Sequence, residues 1–108
     1  MVKQGDIIKI DFSPTSGHEQ SGYRPAVVVS NNFAISKTNV IYVAPVTNSI
    51  RNFPLHVKLD GRTKTSGEIL CEQIKAVDIN ARPFTFVEKL PDDMLENVIN
   101  RIMNCIEI

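Results

Sequence analysis

The sequence predicts a mainly β domain with one C-terminal helix, folded as a compact SH3-like barrel or a strongly curved antiparallel sheet. Two observations predict this fold class. Short apolar or alternating segments recur between polar turns as far as residue 90, and the apolar spacing then changes to three and four. The length of 108 residues suits a single domain over 1–108, and no internal repeat or linker interrupts the sequence.

The predicted strands differ in how their apolar residues are arranged. Residues 7–12 and 55–59 alternate between apolar and polar side chains, which is typical of half-buried strands and places His56 on a solvated face. Residues 26–30 and 40–47 are almost continuously apolar, which is typical of central strands. Two more strands are predicted, over 68–77 (straight or bent) and over 85–90.

Polar residues separate these strands, and one connection is unusually long. Ser13–Tyr23 contains two glycines, one proline and almost no apolar residues. A loop of this length in a compact domain is either a binding loop or a disordered hairpin tip. Asn31 and Asn32 are interpreted as the start of another polar connection.

The C-terminal residues predict an amphipathic helix of about fourteen residues. The apolar stripe expected to face the core consists of Leu95, Val98, Ile99, Ile102 and Ile106. Pro91 suits the entry to this helix, and Asp92 and Asp93 suit the positive end of its dipole.

The charge of the chain is balanced overall but not along its length. Twelve basic and twelve acidic residues cancel, and residues 88–108 carry an acidic excess, so the body before them is mildly basic. This balance allows a local phosphate-binding surface and argues against tight non-specific binding of nucleic acid.

Several classes of protein find no support in the sequence. No apolar run approaches the ~20 residues of a membrane span, and the first residues form no signal segment, so we expect a cytoplasmic protein. Cys71 and Cys105 do not have zinc-site spacing, and no phosphate-binding glycine loop or dinucleotide turn is present. We therefore expect neither a metal nor a cofactor.

Five stretches spread over the whole chain carry a specific pattern: Gly5-Asp6, Asp11–Pro14, Gly17–Pro25, Pro45–Thr47 and Cys71–Lys75. In order and spacing they resemble the MazF/PemK (Kid) toxins of bacterial toxin–antitoxin modules. The resemblance implies a curved sheet related to small SH3-like barrels, a homodimer, and sequence-specific, metal-independent endoribonuclease activity on single-stranded mRNA. It also implies neutralisation by a cognate antitoxin, whose flexible acidic segment crosses the RNA groove and which links the toxin to DNA.

Metal-free cleavage of RNA sets three chemical tasks for the side chains. The 2′-OH attacks the adjacent phosphate to leave a 2′,3′-cyclic phosphate and a 5′-OH, so a base, a phosphate clamp and an acid are needed. Arg24, the family's catalytic arginine by resemblance, suits the clamp because its guanidinium is always charged and can bind two oxygens. Thr47 matches the family's catalytic Thr/Ser position, where it either hydrogen-bonds the phosphate or relays a proton. His18 matches the histidine of Kid-like members and is either an acid–base group or a loop contact to RNA.

Further polar and aromatic residues are predicted to contact RNA: Glu19, Gln20, Tyr23, Asn48, Arg51, Phe53, Glu72 and Gln73. The chain departs from Kid-like members at one point. Where they carry an Arg-Cys-Asp stretch, this chain has Leu70-Cys71-Glu72, so the second arginine is absent. The assignment of base and acid therefore stays open between His18 and Glu72, and the activity is expected to be affected by Leu70.

Two alternatives belong to other functional classes. A non-catalytic barrel that binds RNA or protein would use Arg24 but would leave Thr47 and His18 without a task. A gyrase-poisoning toxin of the same architecture relies on a Trp-Gly-Ile C-terminus, whereas this chain has no tryptophan and ends Cys-Ile-Glu-Ile.

Overall fold

The computed structural model describes residues 1–12 and 22–108. In these ranges the strands are β1 (Asp6–Asp11), β2 (Tyr23–Val28), β3 (Val40–Thr47), β4 (His56–Lys58), β5 (Glu68–Leu70), β6 (Lys75–Asp78) and β7 (Phe84–Lys89). The helices are α1 (Asn32–Lys37) and α2 (Asp92–Ile106). A short 3-10 helix, Cys71–Gln73, joins β5 to β6 and is called the 3-10 turn below.

The strands form one antiparallel sheet in the order β4-β5-β3-β2-β1-β7, with β6 also paired to β3. Val43 of β3 pairs with Val28 of β2 on one edge and with Lys75 of β6 on the other. Farther along β3, Thr47 pairs with β5. The single strand predicted over 68–77 is therefore two strands, separated by the 3-10 turn and sharing one edge of β3.

The predicted fold class, a mainly β domain that ends in one helix, is confirmed. In the ranges that the structure describes, the sheet is open, because β4 and β7 stand at its two ends and no ladder joins them. Of the two expected architectures, the chain therefore forms the open sheet rather than a closed barrel.

The central strands are buried on both faces, and consecutive residues enter different cores. Ile7 and Val27 pack in the core beneath α2, whereas Ile8 and Val28 pack in a second core that includes Ile35 of α1. This burial explains why β2 and β3 are apolar at almost every position. In β1, predicted to be half-buried, Ile7 on the second face is also buried, whereas Lys9 on that face is exposed.

Helix α2 covers one face of the sheet with a stripe that differs at both ends from the predicted one. Its buried residues are Met94, Val98 and Ile102, with Leu95 and Ile99 partly buried. Ile106 was expected in the core but is 61% exposed. Neither α2 nor α1 is long and apolar enough to cross a membrane, and the structure describes no other α-helix.

Helix α1 stands where a polar connection was expected. The side chain of Asn31 accepts a hydrogen bond from the Ala34 N–H at 2.8 Å, which caps the helix, and Ile35 anchors it in the core. Asparagine favours turns and helix N-caps for the same reason, namely its ability to bond nearby backbone groups. The interpretation of Asn31-Asn32 as a loop start was therefore wrong.

Candidate active site

Two grooves lie beside the end of β3, and consecutive residues of this strand line them. The larger groove, of about 570 Å³, is called the arginine groove, and its lining includes Lys9, Tyr23, Arg24, Val46, Asn48 and Lys64. The smaller, of about 400 Å³, is called the histidine groove and is lined by Thr47, Arg51, Phe53, His56, Leu70, Glu72 and Gln73. Successive side chains of a strand point in opposite directions, so Thr47 faces one groove while its two neighbours face the other.

Three basic residues, from different parts of the chain, line the arginine groove. Lys9 and Arg24 come from the paired strands β1 and β2, in which Lys9 lies opposite Pro25 and Arg24 opposite Ile10. Lys64 comes from the connection between β4 and β5. Among the described residues that line this groove none is acidic, so the groove favours an anionic ligand.

The segment that carries Lys64 is held to β7 by one carboxylate. Glu88 accepts hydrogen bonds from the N–H groups of Lys64 at 3.0 Å and Thr65 at 2.8 Å, and from the Thr65 hydroxyl at 2.8 Å. Burial acts to raise the pKa of Glu88, but these donors outweigh it and hold the pKa below its ordinary value. The position of Lys64 in the groove is thus fixed by backbone contacts.

The same segment is tied to the start of α2 by an exposed ion-pair network. Arg62 bonds Asp60 at 3.0 Å and Asp93 at 2.9 Å. The hydrogen bonds from Arg62 lower the pKa of both carboxyl groups. Because these side chains are exposed, the network contributes more to the placement of the segment than to stability.

Thr47 is buried at the floor of the histidine groove, where β3 meets β5. Its hydroxyl accepts a hydrogen bond from the Ser49 N–H at 3.2 Å. Gly67, with φ +115°, precedes β5, and a Cβ placed on it would stand 1.9 Å from the Thr47 carbonyl oxygen. Only glycine fits here, both because of its φ and because of this close approach.

His56 is buried between two carboxylates. Its Nδ1 lies 2.8 Å from Oε1 of Glu68, and its Nε2 lies 2.9 Å from Oε2 of Glu72. The side chains of His56 and Glu68 are 5% and 2% exposed, whereas that of Glu72 is 26% exposed. The edge of Phe53 packs on the imidazole with the ring centroids 5.1 Å apart. The prediction that His56 lies on a solvated face was wrong, because the segment before β4 and the 3-10 turn cover that face.

Glu68 also anchors the connection between β3 and β4. It accepts the backbone N–H groups of Arg51 at 3.2 Å and Asn52 at 3.0 Å, and Asn52 has a left-handed backbone with φ +53°. The hydrogen bond from His56, followed by these two N–H groups, holds the pKa of Glu68 below its ordinary value.

The 3-10 turn presents two side chains of different character. Gln73 is half-buried, and its Oε1 is buried with no hydrogen-bond partner among the described residues. Such an atom is a candidate acceptor for a ligand donor. Cys71 points into the core, and burial raises the pKa of its thiol to about 12, whereas Cys105 is exposed.

The structure brings most of the predicted site residues to these two grooves. The arginine groove contains Arg24, Tyr23 and Asn48, and the histidine groove contains Thr47, Arg51, Phe53, Glu72 and Gln73. His18, Glu19 and Gln20 lie outside the described residues.

Sequence reasoning missed three titratable residues of the grooves: Lys9, Lys64 and His56. Lys9 and Lys64 lie on segments without a motif, and only the pairing of β1 with β2 and the Glu88 contact bring them to the arginine groove. His56 was assigned to solvent on strand alternation alone. The available signal was the presence of Glu68 and Glu72 at an interval of four, although their contact with His56 requires the β4–β5 pairing.

Comparison with known proteins gives a consistent result. The family described as PemK-like, MazF-like toxin of type II toxin–antitoxin system matches residues 3–106. The endoribonuclease toxin MazF of Escherichia coli K12 is 40% identical over 81 residues, which cover 75% of this chain and 72% of the relative. Endoribonuclease PemK of Escherichia coli is 32% identical over 105 residues, covering 94% of this chain and 79% of the relative.

Solved structures agree with the sequence comparisons. MazF from Deinococcus radiodurans matches with a TM-score of 0.91 and 27% identity, covering 99% of this chain and 97% of that chain. A chain from a MazE–MazF crystal structure of the same organism matches with a TM-score of 0.83 and 22% identity, covering 99% and 96%. At the lower identity the likeness concerns the fold.

Proposed function

Since the chain belongs to the PemK-like, MazF-like toxins of type II toxin–antitoxin systems, we propose that it is a sequence-specific, metal-independent endoribonuclease. Its substrate is single-stranded mRNA, and its cuts leave 2′,3′-cyclic phosphate and 5′-OH ends. Cleavage of mRNA inhibits translation and growth until the cognate antitoxin neutralises the toxin.

One observation carries this proposal: Arg24 and Thr47 line two grooves that both lie beside the end of β3. An RNA strand that crosses the end of β3 can contact both grooves. Lys9 and Lys64 beside Arg24 support binding of neighbouring phosphates.

The chemistry is an in-line transfer within the RNA. The 2′-oxygen forms a bond to phosphorus while the bond to the 5′-oxygen breaks, and one proton leaves the 2′-OH as another reaches the 5′-oxygen. Arg24 stabilises the charge that accumulates on the phosphate oxygens. Thr47 donates a hydrogen bond to the same phosphate or relays one of the two protons.

The base and the acid come from the two candidates left open by the sequence, His18 and Glu72. Glu72 is partly exposed in the histidine groove, which suits a proton acceptor. Leu70, which replaces the arginine of Kid-like members, lines the same groove as Arg51, and we assign to Arg51 the positive charge that Leu70 does not supply.

The remaining groove residues suit recognition of unpaired bases. Tyr23 and Phe53 are 53% and 46% exposed, which leaves their ring faces available for stacking. Asn48, Glu72 and Gln73 supply hydrogen-bonding groups for base edges, and Glu19 and Gln20 remain predicted RNA contacts.

The proposed partners follow from the family. We expect a homodimer that acts in the cytoplasm and an antitoxin whose acidic segment occupies the RNA grooves. Through the antitoxin the toxin also becomes associated with DNA. Light scattering of the purified chain tests the dimer, and co-expression with the neighbouring antitoxin gene tests neutralisation.

The deciding experiment is incubation of the purified protein with a long single-stranded RNA in excess EDTA, with every new end mapped. We expect cuts at one short motif with 5′-OH and cyclic-phosphate ends. A folded protein that leaves several RNAs uncut would contradict the proposal and favour a binding role.

An Arg24→Ala variant tests the central residue. We expect a loss of cleavage rate of at least about a hundredfold with an unchanged circular dichroism spectrum, because a transition-state clamp is removed. Lys89→Ala, on the exposed surface of β7, is the control and should cut RNA like the wild type. Unchanged cleavage by Arg24→Ala would remove Arg24 from the mechanism.

A further inference from the structure

We propose that His56 is a positioning residue of the nuclease site: its imidazole, held by the buried Glu68, orients the carboxylate of Glu72 in the histidine groove. The inference rests on the function proposed above and concerns how the Glu72 carboxylate is held in position before RNA binds.

His56 forms a bridge between two carboxylates, of which Glu68 is fixed and Glu72 is accessible. Glu68 is buried and is held in addition by the N–H groups of Arg51 and Asn52. Glu72, on the 3-10 turn, has His56 as its hydrogen-bond partner among the described residues, through one of its two oxygens. The imidazole therefore transmits the fixed position of Glu68 to Glu72.

The bridge requires a particular protonation state. An ionised carboxylate can only accept hydrogen bonds, so both contacts are hydrogen bonds only when both ring nitrogens carry a proton. The charged groups around the ring are Glu68 from β5, Glu72 from the 3-10 turn and Arg51 in the groove, while Arg101 of α2 donates to the His56 carbonyl oxygen at 3.2 Å. When the ring loses a proton, one contact becomes an approach of two acceptors.

When the His56 ring loses a proton, we expect the contact with Glu72 to break rather than the contact with Glu68. Glu68 retains its backbone donors and lies in the core, whereas Glu72 can turn toward solvent. With the bridge intact, the second oxygen of Glu72 remains available in the groove, where it can take a proton or a hydrogen bond from RNA. Loss of the bridge therefore lowers activity through Glu72 and not through Arg24 or Thr47.

A double-mutant cycle tests this dependence. His56→Gln and Glu72→Gln should each lower kcat/KM by on the order of tenfold to a hundredfold. The double variant should lose little more than the worse single variant, because both changes remove the same contact. Losses that multiply, or wild-type kcat/KM in Glu72→Gln, would overturn the inference. Lys58→Gln, on the exposed side of β4, is the control and should keep wild-type kcat/KM.

A spectroscopic measurement tests the bridge without relying on activity. The chain has two histidines, so a His18→Gln variant leaves His56 alone in ring-nitrogen NMR spectra. We expect Glu72→Gln in this background to change the chemical shift of Nε2, which contacts Glu72, more than that of Nδ1, which contacts Glu68. Ring-nitrogen shifts that do not respond to Glu72→Gln would show that the bridge does not form.

The proposed nuclease function and the proposed role of His56 can be contradicted by different results. If His56→Gln leaves Glu68 without its partner and does not fold, Glu72→Gln decides the question, because it keeps the His56–Glu68 contact. A wild-type protein that cuts no RNA contradicts the proposed function, and the ring-nitrogen spectra then still test the bridge. A wild type that cuts RNA while Glu72→Gln cuts equally well contradicts only the role of His56.

Discussion

At Gly67 the backbones of two neighbouring segments approach so closely that no side chain fits. Gly67→Ala should lower the free energy of unfolding by about 3 kcal/mol or more, because its Cβ meets the Thr47 carbonyl oxygen and its φ is unfavourable for alanine. Gly61→Ala is the matched control, since a Cβ there meets nothing within 4 Å. Urea denaturation of both variants measures the difference, and equal stabilities would contradict the packing described at β5.

Lys64 offers a test of phosphate binding that is separate from catalysis. Lys64→Ala should weaken binding of a non-cleavable RNA and reduce the slope of log Kd against log salt by about 0.7, the contribution of one contact to single-stranded nucleic acid. Fluorescence anisotropy at several salt concentrations gives the slope, with Lys89→Ala as a charge-matched comparison. A slope equal to that of the wild type would place Lys64 outside the RNA path.

The sequence made some residues of the site predictable and concealed others. Arg24 and Thr47 stand in stretches that resemble the motifs of a known family, so they could be named as candidate site residues from the sequence. His56 carries no local signal, because its burial results from a connection and a 3-10 turn that fold over it. Gln73 was predicted to contact RNA, but only the fold shows that its Oε1 is buried without a hydrogen-bond partner in residues 1–12 and 22–108.

At the scale of the element, α2 provides a paired test of burial. Ile102→Ala should cost about 2–5 kcal/mol of unfolding free energy, because it removes buried methyl groups and leaves a cavity. Ile106→Ala, one turn later on the same predicted stripe, should change stability by no more than about 0.5 kcal/mol because this residue is exposed. Thermal or urea unfolding that ranks the two variants in the opposite order would contradict the observed position of α2.

The elements also show where pattern-based prediction stops. The long strands were predictable because burial on both faces makes them almost continuously apolar, and the C-terminal helix because burial on one face gives its apolar residues a spacing of three and four. A bend within residues 68–77 was one of two possibilities, but its position at Cys71–Gln73 could not be predicted, because these residues have strand-like composition and only their pairing with two parts of β3 requires the turn. The short helix α1 was hidden because one asparagine serves equally as a turn residue and as an N-cap.

At the scale of the whole molecule, acid should destabilise the fold. Among the residues that the structure describes, four carboxyl groups have a lowered pKa: Asp60, Glu68, Glu88 and Asp93. Such a group binds fewer protons folded than unfolded, so its stabilisation is complete above the unfolded pKa of about 4 and is lost as the pH falls through the folded value. We expect the urea midpoint to be lower at pH 3 than at pH 6.

A variant separates the exposed contribution to this acid sensitivity from the buried one. Arg62→Ala removes the main cause of the lowered pKa of Asp60 and Asp93 and leaves Glu68 and Glu88 unchanged. The variant should therefore lose less stability between pH 6 and pH 3 than the wild type. An urea midpoint that is independent of pH in the wild type would contradict the electrostatic description.

Because Cys105 is exposed and Cys71 is buried, the two cysteines can be labelled at different rates, and this allows conformational changes to be followed. The thiolate is the nucleophile that attacks a thiol reagent, so exposed Cys105 should react rapidly, while Cys71 is shielded by burial and by its raised pKa. One fluorophore can thus be attached to the native sequence without mutagenesis. The rate at which the second thiol, Cys71, is labelled then measures how often the 3-10 turn opens, because Cys71 becomes accessible only when that turn leaves the core. A substrate or an inhibitor that occupies the adjoining histidine groove should lower the labelling rate of Cys71.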